Sequence, residues 1–206
     1  MFFSFDGVDG SGKSTQVALF AEWLRCEGYS VTVCRDPGST SLGEAVRKIL
    51  LDRSSLVIGP TSEMLLYMAA RAQLVEEVIS PALAAGRTVV SDRFLLSNVV
   101  YQGYAGGLDP AEIAATGLIA TAGLLPDVSL VLDVSEEVAL SRMQRPLDRI
   151  EDRGAEFRAA LRNGYLVEAR RSPERVVIVD ASQSVDQVQA ELQRIALRAL
   201  AAKGAS

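Results

Sequence analysis

Gly7-Val8-Asp9-Gly10-Ser11-Gly12-Lys13-Ser14 fits the pattern GxxxxGK[ST] at every position, and those residue types at that spacing suit the holding of a polyphosphate. The glycines let the backbone turn its N–H groups inward around phosphate oxygens, and the positive end of a following helix adds a favourable field. Lys13 supplies a mobile charge for the terminal phosphates, and the Ser14 hydroxyl can ligate Mg2+. Gly7 through Thr15 is therefore the expected binding segment for ATP. A second anchor is Asp92-Arg93, which ends the buried-type run Val89-Val90-Ser91. Asp92 can hold the metal directly or through water, and Arg93 can take a pair of phosphate oxygens in its fork. Alone, such a pair is also consistent with a surface ion pair. Beside a phosphate cradle it reads as part of the same site.

The rest of the composition removes alternatives. The chain has no histidine and a formal net charge of -5, so it lacks the broad basic surface of a nucleic-acid binder, and no nucleic-acid partner is expected. Missing histidine also excludes His-dependent triads and His-ligated metal, leaving carboxylate, Lys/Arg and Mg2+ chemistry. Cys26 and Cys34 lack CxxC spacing and are read as reduced thiols outside any site.

These groups must be positioned by a scaffold, and the apolar pattern supplies one. Short β-rich runs at Phe2 to Phe5, Tyr29 to Cys34, Thr88 to Ser91, Ser129 to Val134 and Val176 to Val179 alternate with longer helical stretches. That is the signature of an α/β fold, a parallel sheet wrapped by helices, and in such sheets ligands bind at the carboxyl ends of the strands. Gly28 closes the helical stretch Val17 to Glu27, Gly86 closes Glu63 to Ala85, and Asp109-Pro110 opens a stretch ending near Gly123. Val185 to Leu200 reads as an amphipathic helix covering one sheet face, with an Ala-rich end expected to fray. The length of 206 residues and the absence of linker-like tracts predict a single domain spanning 1–206. Met1 to Asp6 lacks the basic start and long apolar run of a signal sequence or membrane span, so a cytoplasmic protein with no membrane partner is expected. The Arg- and acid-rich segment 143–154 contains Pro146 and is read as a lid or a solvated loop.

Several further motifs, in order along the chain, resemble those of thymidylate kinases. Arg35-Asp36-Pro37-Gly38-Ser39-Thr40 with Gly43-Glu44 and Arg47 is similar to that family's R-E-P-G-G-T…G-E…R loop. Glu63-Met64-Leu65-Leu66-Tyr67-Met68-Ala69-Ala70-Arg71-Ala72-Gln73 resembles its E-x-L-L-F-x-A-x-R-x-Q helix. Asp92-Arg93-Phe94, Ser97-Asn98 and Tyr101-Gln102-Gly103 look like its D-R-Y…S…A-Y-Q-G segment, and Asp148-Arg149-Ile150-Glu151 with Phe157 and Gly164-Tyr165 resembles its lid. The resemblance covers Phe3 to about Asp180. It implies a three-layer P-loop NTPase fold with five parallel strands and a short lid, a homodimer, and transfer of the γ-phosphate of ATP to dTMP.

Residue roles follow from that resemblance. Asp9 is expected to reach the acceptor's sugar 3′-hydroxyl and phosphate region. Arg35 and Arg93 are expected on the acceptor phosphate, with Pro37 beside them and Arg47 either there or paired with Glu44. Tyr67 replaces the family's Phe and either stacks on thymine or faces the core. Arg71 is expected to donate to the base, Asn98 and Gln102 to contact it, and Tyr101 to lie under the deoxyribose, leaving no room for a 2′-hydroxyl. Ser11 stands where one branch of the family carries a cradle arginine. The chain therefore fits the branch in which the lid supplies the charge, from Arg145 first and Arg149 second, with Arg142 and Arg153 also available. The alternative acceptors for the same fold are another nucleoside monophosphate or a deoxynucleoside. A P-loop switch would be expected to carry a guanine-reading N-K-x-D, which this sequence lacks.

Overall fold

The computed structural model describes residues 1–52, 56–143 and 153–204. Among them, five strands form: β1 (Phe2–Asp6), β2 (Val31–Arg35), β3 (Thr88–Asp92), β4 (Val128–Asp133) and β5 (Val176–Asp180). Each lies within two residues of the run read from sequence. All pairings are parallel, in the order β2-β3-β1-β4-β5.

β1 sits at the centre because every one of its residues is buried, a position that suits an unbroken apolar run. Its side chains alternate between faces. Phe3 and Phe5 meet Phe20 edge-on at 5.3 and 5.2 Å, within the core that α1 (Lys13–Cys26) and α9 (Val185–Gly204) cover. Phe2 points the other way and meets Phe94 at 5.0 Å, in the core shared with α3 (Pro60–Leu74) and α6 (Pro110–Ala120). α8 (Ala155–Arg171) closes the same second face through Phe157, Leu161 and Tyr165. The result is the expected three-layer α/β arrangement. The remaining helices are α2 (Ser41–Leu51), α4 (Ser80–Ala84), α5 (Leu95–Asn98) and α7 (Glu136–Arg142).

Several helical segments differ locally from the sequence reading, α1 among them, which starts at Lys13 where the reading began at Val17. The stretch read as one helix over 63–85 begins at Pro60 and passes through a wide π turn, Val75–Ile79, into α4. Pro81 has no N–H for the preceding turn and its ring crowds it, which widens the ladder there. A second π turn, Val99–Tyr104, follows α5. The Ala-rich end of α9, where the sequence predicts fraying, is helical to Gly204, and Lys203 donates to both carboxylate oxygens of Asp127 at 2.7 Å.

Strand register brings the chemistry to one edge. Phe5 and Arg35 both stand opposite Asp92. Beyond the strands, Asp36 N donates to Asp92 O at 3.0 Å and Arg93 N to Phe5 O at 2.9 Å. The cradle after β1, the Arg35 loop after β2 and Arg93 after β3 therefore leave the sheet side by side.

Candidate active site

The cradle is shaped by backbone conformations that side chains resist. Gly7, Gly10 and Gly12 have φ of 131°, 81° and 91°. A Cβ on Gly7 would meet Leu132 O at 2.6 Å, and one on Gly10 would meet Ala139 O at 2.2 Å, so β4 and α7 press directly on the loop. Gly12 caps α1 without any side-chain bond to its first N–H groups, which leaves those donors for an anion. Lys13 is buried and folds back on the loop, donating to Gly7 O at 2.9 Å and Val8 O at 2.8 Å, with Asp9 Oδ1 at 3.7 Å. Burial, then the adjacent charge of Arg93, lowers its ammonium to about 8 against the pull of Asp9, Asp92 and Asp6.

Arg93 has φ of 68°, an uncommon conformation for a non-glycine residue that marks functional strain. It is held by the Arg93 N bond to β1 and by Ser91 Oγ, which donates to Arg93 O at 2.7 Å. The turn swings the guanidinium over the cradle. There it donates to Asp9 Oδ1 at 2.7 Å, Tyr101 Oη at 3.0 Å and Gly7 O at 3.1 Å, and lies 4.8 Å from the centre of the Tyr101 ring. Tyr101 Oη donates to the other Asp9 oxygen at 3.1 Å. Burial would raise the Asp9 carboxyl, but the charges of Arg93 and Lys13 outweigh it and hold the group well below the usual carboxylate range.

Beneath this layer lies Asp6, which sequence reading did not single out. It is fully buried and accepts from Ser97 Oγ at 2.6 Å and Ser4 Oγ at 2.9 Å. Ser97 in turn meets Tyr165 Oη at 2.9 Å. Burial pushes the Asp6 carboxyl up despite those hydroxyls.

Two cavities share Asp9 and Arg93. The larger, about 880 Å³, is lined by Asp9 through Gln16, by Arg35, Asp92 and Arg93, and at its far end by Arg142, Gln183 and Val185. Gly7 does not line it, and Val8 lines a separate pocket together with Phe157 and Leu161 of α8. In the wall of the larger cavity Ser14 Oγ donates to Asp92 Oδ2 at 3.2 Å. A hydroxyl and a single carboxylate, both hard oxygen ligands, fit Mg2+ that keeps water and phosphate as its other ligands. No cluster of three or more acidic, Cys or His ligands exists among the described residues.

The second cavity brings together Pro37, Tyr67, Arg71, Asn98, Tyr101 and Gln102, along with Arg47. Arg71 is buried. It bonds Asp36 Oδ2 through Nε at 2.6 Å, and Asp36 Oδ1 is buried with no partner among the described residues. The second π turn, closed by Ala105 N to Val100 O at 3.1 Å, sets Tyr101 and Gln102 on the cavity wall. Arg35, half exposed, takes Glu44 at 2.8 and 3.0 Å, so Glu44 serves Arg35 where the sequence reading offered it to Arg47. Arg47 donates to Pro37 O at 3.3 Å.

Arg145 and Arg149 lie outside the described residues, as does most of the segment 143–154. Arg142 is on α7, donating to Ala181 O at 2.8 Å, and Arg153 pairs with Glu63 at 2.7 Å. The turn between β5 and α9, with Gln183 and Ser184, was missed. The rule that ligands meet the carboxyl ends of parallel strands would have found it.

The family model for thymidylate kinase matches residues 5–192. A thymidylate kinase of Caldanaerobacter subterraneus subsp. tengcongensis is 49% identical over 185 residues, covering 89% of this chain and 88% of that protein. One from a Thermoanaerobacter species is 44% identical over 192 residues, covering 93% and 94%. The crystal structure of a thymidylate kinase from Ehrlichia chaffeensis superposes with a TM-score of 0.76 at 31% identity, over 95% of this chain and 97% of that one.

Proposed function

The chain belongs to the thymidylate kinase family, and we propose that it transfers the γ-phosphate of ATP to dTMP, giving dTDP and ADP. The observation that carries the assignment of its residues is that Asp9 and Arg93 stand at the junction of two cavities, one ending in the cradle and the other in Arg71 and Gln102. ATP occupies the larger and dTMP the smaller, so that their phosphates meet over Arg93.

In the reaction an oxygen of the dTMP phosphate attacks the γ-phosphorus in line, and the bond to the β,γ-bridging oxygen breaks with its electron pair leaving on ADP. A phosphate monoester dianion needs no general base, so the lack of histidine costs nothing. The protein's share is position and charge. Lys13 leaves the loop carbonyls for the β- and γ-phosphates. Arg93, already turned over the cradle, spreads the charge that develops between the two nucleotides, and Asp9 holds it there while facing the acceptor sugar. Arg35 and Arg47 meet the acceptor phosphate. Tyr67 stacks on the base, Arg71, Asn98 and Gln102 read its edge, and Tyr101 bars a 2′-hydroxyl. Ser14 and Asp92 would hold Mg2+, which neutralises phosphate charge when bound. The family resemblance assigns the remaining positive charge to Arg145 or Arg149. The enzyme acts as one domain in a homodimer in the cytoplasm; no described helix is long and apolar enough to cross a membrane.

The test is ADP release at one ATP concentration across a panel of acceptors. Loss of the thymine methyl should make dUMP worse by about 1–3 kcal/mol, roughly 10–200-fold in kcat/KM. UMP should fall further because its 2′-hydroxyl meets Tyr101, and Tyr101→Ala should recover part of it. Equal activity on AMP or GMP, or preference for an unphosphorylated nucleoside, would reject the dTMP assignment and favour another acceptor on the same fold.

A further inference from the structure

Gln102 faces the base cavity with an amide whose two ends match in shape and differ in chemistry, so it can read a base edge only if held one way round. The surrounding bonds fix that direction. Arg71 can only donate, and its NH1 reaches Asn98 Oδ1 at 2.9 Å. Asn98 therefore turns its Nδ2 away, to Gln102 Oε1 at 2.5 Å. Gln102 must then turn its own Nε2 onward, to Glu63 Oε1 at 3.1 Å. Glu63 accepts there, and its other oxygen takes Arg153 at 2.7 Å. Arg71, Asn98, Gln102 and Glu63 are each 2% exposed or less, so water cannot repair a reversed amide.

With this sense, the cavity presents an Arg71 donor beside the Gln102 Oε1 acceptor; among the described residues the NH2 of Arg71 has no partner. A base edge with a carbonyl beside an N–H, as in thymine O4 and N3–H, complements that pair. Cytosine reverses the pattern, setting its N3 lone pair against Gln102 Oε1 and its amino group against Arg71. We propose that Glu63, which does not itself line the base cavity, is the positioning residue that sets this discrimination by holding Gln102 in one orientation. The proposal rests on the placement of the dTMP base given above.

Glu63→Gln tests it, because an amide that keeps its oxygen on Arg153 turns its NH2 toward Gln102, which then has to reverse. kcat and KM are measured with dTMP and dCMP for the wild type, Glu63→Gln, Gln102→Ala and the double variant. Glu63→Gln should raise the KM for dTMP about tenfold, with kcat changed less than about threefold, and should reduce the preference for dTMP over dCMP by about tenfold. In the Gln102→Ala background the same substitution should leave the preference where Gln102→Ala put it. An unchanged preference in Glu63→Gln, or an equal drop with and without Gln102, overturns the proposal while the dTMP placement stands. If Gln102→Ala alone leaves the preference intact, the base placement fails and the proposal with it. Should Glu63→Gln lose its circular dichroism signature, Glu63→Met removes the acceptor at similar volume, and is held to the same criteria at smaller amplitude.

Discussion

Lys13 is caught between two sets of partners, and its titration should report the exchange. Without nucleotide it is bonded to the carbonyls of Gly7 and Val8 and titrates at about 8. A bound triphosphate brings negative charge against the ammonium and raises that value. Above pH 8 the free enzyme has lost the proton that the complex keeps, so ATP binding should take up a proton and weaken as pH rises further. Calorimetry at pH 8.5 in two buffers of different ionisation enthalpy measures this directly, since the phosphates of ATP are already ionised there. Binding with no net proton exchange would contradict it. Lys13→Ala should abolish the uptake and lower turnover roughly 10²–10³-fold, about 3–4 kcal/mol, the scale of one preorganised charge-stabilising donor. A variant with normal circular dichroism and near-normal turnover would remove Lys13 from the reaction.

The cradle glycines look equivalent as sequence and are not equivalent in the fold. A Cβ at Gly10 would sit 2.2 Å from the backbone oxygen of Ala139, whereas one at Gly12 would meet nothing within 4 Å. Gly12→Ala therefore pays only for its left-handed backbone, about 1–2 kcal/mol. Gly10→Ala pays a similar strain and must also push α7 off the loop, so it should lose more thermal stability and more ATP affinity than Gly12→Ala. Thermal unfolding and ATP titration of both variants check the order, and equal losses would show that α7 does not brace the loop. This contrast marks how far sequence reaches. The strands were legible because their apolar runs are dense and short, and the cradle because phosphate binding demands Gly and Lys at fixed spacing. Arg71 was legible as a basic residue on a helix, but not as a buried one, because its partner Asp36 lies 35 residues away. The π turn that presents Tyr101 and Gln102 leaves no periodic trace. Asp6 and the turn between β5 and α9 escaped notice, the first hidden inside a strand pattern, the second made of small polar residues. The segment with Arg145 and Arg149 is known only through its resemblance to the family's lid.

α3 joins the active site to the outside of the molecule. Glu63, Tyr67 and Arg71 recur every four residues and so share one face of the helix, while Leu65, two residues from either neighbour, points about 200° around from them. Leu65 is 51% exposed, and on the adjacent α6 Leu118 is 43% and Ile119 82% exposed. Single exposed apolar residues need no explanation, but three on two helices that pack against each other mark the face we propose for a second copy of the chain. This is where the proposed homodimer would form. Charging the patch with Leu65→Glu and Ile119→Lys should convert a two-chain species in sedimentation velocity into a one-chain species. Because the same helix carries the base-reading side chains on its inner face, loss of the partner should loosen the dTMP pocket and leave the cradle as it was. The KM for dTMP should rise by about 0.5–2 kcal/mol, roughly 2–30-fold, with the KM for ATP unchanged. Wild-type protein sedimenting as one chain at assay concentration would dismiss the dimer. A charged variant that becomes one chain with both KM values unchanged would keep the dimer and deny it any hold on the acceptor site.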